Sequence, residues 1–239
     1  MALLRTMEPE WLDEIPADDF RAIRSRRDLK RINAFMLQTA ILARLLTRHQ
    51  TTPPRRIIEL GSGDGTFMLG VARRLASVWP EVHVVFLDRQ NIVSDETREN
   101  FRALNWQTES VSADVFDFLS AQKPGSADIV TANLFLHHFS EQALSRLFAF
   151  AAQLAPLFVA CEPRRSSSAL IASHMVIALG CNDVSRHDAV VSVRAGFSGQ
   201  ELSKLWPQDR GWNLQEQPAL PFTHCFAARR IERAGHADV

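Results

Sequence analysis

"IIELGSGDGTFML", residues 57–69, decides the fold. A short apolar run carrying one acid, Glu59, enters a turn built on Gly61, Gly63 and Gly65, and an apolar helical pattern resumes at Thr66. A turn without side chains lets a ligand approach the backbone closely. The helix that follows offers free N–H groups at its start. The dinucleotide fingerprint is G-x-G-x-x-G, whereas this string is G-S-G-D-G-T, with Thr66 where the third glycine should stand. An acid before the turn is awkward for a pyrophosphate and suits a ligand bearing an ammonium group. A nicotinamide dehydrogenase is disfavoured on both counts.

Outward from this stretch, strands and helices alternate. "RRIIEL" reads as a buried strand and "FMLGVARRLASVW" as a helix; "VHVVFLD" is a strand, "DETRENFRAL" a helix, "TESVSAD" a short strand. "ADIVTANLF" and "PLFVACEP" supply two more strands around a helix capped by Ser140. The segments near "WNLQEQPAL" and "THCFAARRI" read as a closing hairpin, and Ser198 with Glu201 as a capping box. Such alternation predicts an α/β, doubly wound, Rossmann-like and mostly parallel seven-stranded sheet with a C-terminal antiparallel hairpin. Its apolar strands fit a sheet covered on both faces. Before it, residues 1–52 read as a helical lid segment, with Ile23, Leu29, Ile32, Phe35 and Met36 at helical spacing, ended by "TTPP". Residues 53–239 form the main domain, with 163–197 as a substrate-covering insertion.

In this architecture ligands bind at the carboxyl ends of the strands. Asp88 ends the second strand, 23 residues after Gly65, where a carboxylate can accept both hydroxyls of a ribose. Asp114 ends the third, within reach of an adenine amino group. Positive and negative side chains balance at 27 each, which argues against a nucleic-acid partner. No apolar run approaches the about 18 residues of a membrane span, and the N-terminus does not read as a signal peptide. Cys161, Cys181 and Cys225 lack zinc spacing and read as reduced thiols of a cytoplasmic protein. No metal site is expected.

Taken together, "ELGSGDGT", "VVFLD", "SADVFD" and "ADIVTANLFLHHF" resemble, in order, the four motifs of class I S-adenosylmethionine-dependent methyltransferases. The resemblance covers residues 55–162 and, more weakly, the rest. It implies S-adenosyl-L-methionine as cofactor, with Glu59, Gly61, Ser62, Gly63 and Gly65 around its methionine part. It puts Asp88 at the ribose, Asp114 and Val115 at the adenine, and Asn133 at the pocket floor, with Arg89 a further cofactor-binding residue.

"NLFLHH" lacks the N/D-P-P-Y/F string of nucleic-acid amino-methyltransferases. No cysteine follows a proline, and the carboxylates of metal-dependent catechol-type enzymes are missing. A small organic acceptor remains; "LHHF" is similar to small-molecule members. "RSRRDLKRIN" and "RHDAVVSVRAGF" resemble the ubiquinone-type and type III polyketide synthase-associated methyltransferases, which implies a phenolic, quinone-like or polyketide acceptor at oxygen or carbon. The alternative is a cofactor-binding protein without small-molecule turnover, or a protein methyltransferase.

A phenol benefits from a base, and histidine titrates near neutrality. His137 and His138 follow the fourth strand, and His187 lies beside Asp188; these three are the candidate bases. Met175, Ile177 and Leu179 face either the core or an apolar acceptor. The arginines of the N-terminal helix are either a solvated face or reach an acidic group of the ligand.

Overall fold

The apolar runs between the glycine and proline breaks lie side by side in the computed structural model, which describes residues 3–175 and 180–231. β1 (Arg56–Leu60), β2 (His83–Asp88), β3 (Gln107–Ser112), β4 (Ile129–Asn133) and β5 (Leu157–Pro163) are parallel. β6 (Trp212–Ala219) and β7 (Thr223–Arg230) form the antiparallel hairpin at one edge. The order is β3-β2-β1-β4-β5-β7-β6. This is the expected seven-stranded, Rossmann-like α/β fold.

Successive β1 residues point to opposite faces, and both faces are covered. Ile57, Val84, Phe86, Ile129 and Val159 pack with the helices α3 (Gln38–His49), α4 (Thr66–Leu75) and α5 (Asp95–Ala103). Ile58, Val85, Leu87, Val130 and Phe158 pack with α6 (Val115–Ala121) and α7 (Glu141–Leu154). On that second face Trp206 meets Phe148, Phe158 and Phe226 with ring centroids 5.1–5.6 Å apart. Each such ring brings about 1.5–3 kcal/mol of apolar burial. Ser140 caps α7 through the Ala143 N–H, as its position implied.

The remaining helices are α1 (Trp11–Glu14), α2 (Phe20–Phe35), α8 (Ser167–His174), α9 (Asp183–Ala195) and α10 (Glu201–Leu205). The N-terminal segment is helical in three pieces: Leu37 takes a left-handed backbone, φ 55°, and divides α2 from α3. The apolar positions divide: Leu29, Ile32 and Met36 are half-buried, Ile23 and Phe35 are exposed, and the fully buried residues of α2 are Ala22, Ser25 and Asp28. α3 packs on α4 and β5 in the core.

The box at Ser198 is also half formed. The Glu201 carboxylate accepts the Ser198 N–H, but Arg165 claims the same carboxylate, and Glu216 instead accepts the first N–H groups of α10 from Leu202 and Ser203. Among the described residues no helix is long and apolar enough to cross a membrane. The strand order reverses between β1 and β4, which opens a crevice at their carboxyl ends.

Candidate active site

The glycine turn leaves β1 at that crevice. Gly61, Gly63 and Gly65 have φ of 67°, 55° and 72°, a left-handed region closed to most side chains. Their further roles differ. A Cβ on Gly63 would meet nothing within 4 Å, so this is the backbone open to a ligand. A Cβ on Gly61 would lie 2.2 Å from the Phe135 ring, so Gly61 makes room for the turn after β4 instead. Gly65 lies under Phe86 and Thr97. Gly61→Ala is expected to lower stability by about 1–3 kcal/mol through overpacking and strain. Thermal unfolding checks this, and Phe135→Ala in the same chain should recover part of the loss.

Asp88 closes the turn from β2. Its Oδ2 accepts the Gly63 N–H at 2.8 Å and its Oδ1 the Gln90 N–H at 2.9 Å. Glu59 is buried, and its Oε2 has no partner. Burial first, then the charges of Asp88 and Asp64, push its carboxyl well above the usual range. Ser62 Oγ and Asn133 Oδ1 are likewise buried without partners. A carboxylate, a hydroxyl and an amide oxygen thus stand unsatisfied at the ends of β1 and β4, where burying polar groups unpaired is costly. They fit a ligand that brings an ammonium group and further donors.

Asp114 caps α6 through the Phe116 N–H and pairs with Arg89 at 3.1 Å. Val115 packs into the core below. Lys30 of α2 reaches Asp64 in the glycine turn at 2.7 Å, so the basic helix docks beside the methionine end of the expected site.

After β4 the backbone turns sharply at Leu134, φ 51°, into a single 3-10 turn, Leu136–His138. Glu162, at the end of β5 and fully buried, accepts the N–H groups of Phe135, Leu136 and His137 at 2.9–3.3 Å. It also meets His137 Nδ1 at 2.7 Å, and His137 Nε2 faces Glu10 at 3.1 Å. Burial alone would push this imidazole down. Hydrogen bonds to Glu10 and Glu162, and their charges, outweigh burial and raise it to about 9. Glu10 is opposed by burial too, but His137 and the Ser192 hydroxyl hold it at about 2. Both His137 nitrogens thus face carboxylates, an arrangement that favours a clamped imidazolium over a free base at neutral pH.

His138 differs. It is partly exposed, its Nδ1 lies 3.4 Å from Asp13, and its ring is 4.2 Å from that of His137. Burial and the His137 charge depress its pKa, leaving it uncharged at neutral pH. Two neighbouring histidines are thus driven to opposite charge states, a pattern that separates a base from its supporting group.

The same clamp ties the N-terminal segment down. Arg5 donates to the carbonyls of His137, Phe139 and Ala195, and Arg165 to that of Leu3. Asp188 accepts the Trp11 and Leu12 N–H groups that open α1. His137 charged and Glu10 ionised stabilise the fold fully between about pH 4.5 and 6.5, their unfolded values. That contribution falls away as pH rises towards 9 or drops towards 2. Melting temperature should decline from pH 6.5 to 9, and Glu10→Gln should flatten that slope.

His187 joins neither histidine. It stacks on Trp11 at 3.9 Å, bonds Asp188 through Nδ1 at 2.9 Å, and lines a surface depression of about 320 Å³ with Ser173, His174 and Arg186. Met175 is exposed, and Ile177 and Leu179 lie outside the described residues. Glu10, Asp13 and Glu162 were missed in the sequence. Only Glu162 had a local signal, an acid inside the fully buried strand "LFVACEP". Glu10, His137 and His138 also bring one ligand-capable atom each within 4.8 Å of one another. Both His137 nitrogens already face carboxylates, so a cation would have to displace the proton there.

Residues 57–155 match the profile of a methyltransferase domain. No curated protein matches the chain in sequence. Among solved structures, an O-methyltransferase family protein from Burkholderia thailandensis superposes with a TM-score of 0.61 at 18% identity. That match takes in 90% of this chain and 61% of the other, so this chain spans less than two thirds of that protein. A plantazolicin methyltransferase in complex with a monoazolic desmethylPZN analog and SAH gives 0.64 at 13%, covering 93% of each chain. Magnesium protoporphyrin IX methyltransferase from Synechocystis, with bound S-adenosylmethionine, gives 0.52 at 12%, covering 93% and 89%.

Proposed function

We propose that this chain is an S-adenosylmethionine-dependent methyltransferase and that it methylates a small phenolic, quinone-like or polyketide acceptor, at a hydroxyl or ring carbon, with His138 as the base. The observation that carries the reading is Glu59, a buried carboxylate whose Oε2 has no partner, leading into a turn in which Gly63 leaves its backbone open. An ammonium group is the natural complement to such a group. The names of the plantazolicin and magnesium protoporphyrin IX methyltransferases support a small-molecule acceptor.

When bound, the cofactor supplies a methyl group already activated on a sulfonium. The chain's work is then alignment and proton removal. Glu59 would hold the ammonium, Asp88 the ribose hydroxyls, and Asp114 the adenine amino group. His138 would take the acceptor proton as the new bond to carbon forms, and Asp13 would steady the resulting imidazolium. The N-terminal segment and α9 pack around the histidine turn and would exclude water from it.

Calorimetry tests the Glu59 assignment directly. Cofactor binding should release a proton from Glu59 as the carboxylate ionises against the ammonium. The observed heat should then change with the ionisation heat of the buffer, and Glu59→Gln should abolish that dependence. Binding heat that is the same in every buffer for the parent would defeat the assignment.

A further inference from the structure

α2 is folded the wrong way round for a helix whose only partner is its own protein. It buries Ser25 and Asp28, each 1% exposed, while Phe20 is 76%, Phe35 64% and Ile23 40% exposed; Leu37, just past its end, is 57% exposed. The buried polar groups are satisfied locally: Ser185 of α9 donates to Ser25, and Asp28 accepts the Asn182 N–H. The outward apolar groups have no such account.

The charges follow the same division. Arg21, Arg24, Arg27, Lys30 and Arg31 are exposed along α2, and the single acid within it, Asp28, is buried. At 100° per residue, Phe20, Ile23, Arg24, Arg27, Arg31 and Phe35 fall on one side of the helix. Three arginines thus occupy the middle of a face about 24 Å long, with apolar side chains at both ends. The chain as a whole carries equal numbers of acidic and basic groups, so this face departs from the average.

We infer that the exposed face of α2 is a docking surface for an anionic lipid bilayer, on which the helix lies parallel to the membrane plane. The charge pattern complements acidic headgroups. The end-placed phenylalanines and aliphatic groups match the shallow apolar insertion of an interfacial helix. A nucleic acid would satisfy the arginines alone and leave Ile23 and Leu37 in water. Lys30 ties α2 to Asp64 in the glycine turn, so a bilayer held here lies about one helix diameter from the candidate cofactor cradle.

The test is co-sedimentation of the full chain with vesicles of phosphatidylcholine alone or mixed with phosphatidylglycerol. Binding should rise with the phosphatidylglycerol fraction and fall at high salt. Arg24→Glu with Arg27→Glu and Arg31→Glu should weaken it about 100-fold. Phe20→Ser with Phe35→Ser should weaken it with the charges intact, which separates insertion from simple ion attraction. Melting curves of both variants establish that they are folded. Equal binding to neutral vesicles, no binding to either, or tighter binding to an oligonucleotide than to acidic vesicles would overturn the proposal.

Discussion

His138→Ala is expected to lower turnover by about 10²–10⁴-fold, the usual cost of removing a general base, with cofactor affinity close to that of the parent. The ring is partly exposed in the turn after β4, and burial and the His137 charge lower its pKa. Partial recovery at high pH should follow as hydroxide substitutes for the missing base. His137→Ala should behave differently. It strips the partner from Glu10 and from buried Glu162, and leaving buried charge unpaired costs about 3–5 kcal/mol. Its signature is a fall in melting temperature. Single-turnover rates and thermal melts on both variants separate the roles. Equal turnover by His138→Ala and the parent would place the base elsewhere.

Asp88→Ala should weaken cofactor binding by about 1.5–3 kcal/mol, or roughly 10- to 100-fold, through loss of charged hydrogen bonds to the ribose. The same carboxylate orders the glycine turn, accepting the Gly63 N–H at 2.8 Å, so the variant loses both the contact and its preparation. Asp88→Asn keeps an acceptor and should fall in between. Calorimetric titration with S-adenosylhomocysteine reads the series. Parental affinity in Asp88→Ala would exclude it as the ribose acid.

The fold was readable because its signals are local. β1, β4 and β5 are short apolar runs bounded by breakers, and the turn after β1 needs glycines for its backbone angles. The expected cofactor contacts sit at strand ends, where sequence position alone puts them. The histidine site was not readable to the same depth. "LHHF" gives two adjacent imidazoles and no means of ranking them. The carboxylates that set their charges come from Glu10, 127 residues earlier, and Glu162, 25 residues later. α2 misled for a different reason: helical spacing reports that one face is apolar, and it does not say whether protein or something else covers that face.

The clamp that holds the N-terminal segment also has a timetable. Its partners lie far along the chain: Glu10 waits for His137, Trp11 for Asp188 177 residues on, and Arg5 for Ala195 190 residues on. At a synthesis rate of about 5–20 residues per second, those partners emerge on the order of ten seconds or more after the segment itself. Closing such long loops is also slow, because chain entropy is lost before the contacts repay it. During that interval the Trp11 ring lacks His187, on which it stacks, and Glu10 lacks His137, so this segment is among the last parts of the chain to be held. Until those partners arrive, the segment is open to a chaperone or a protease.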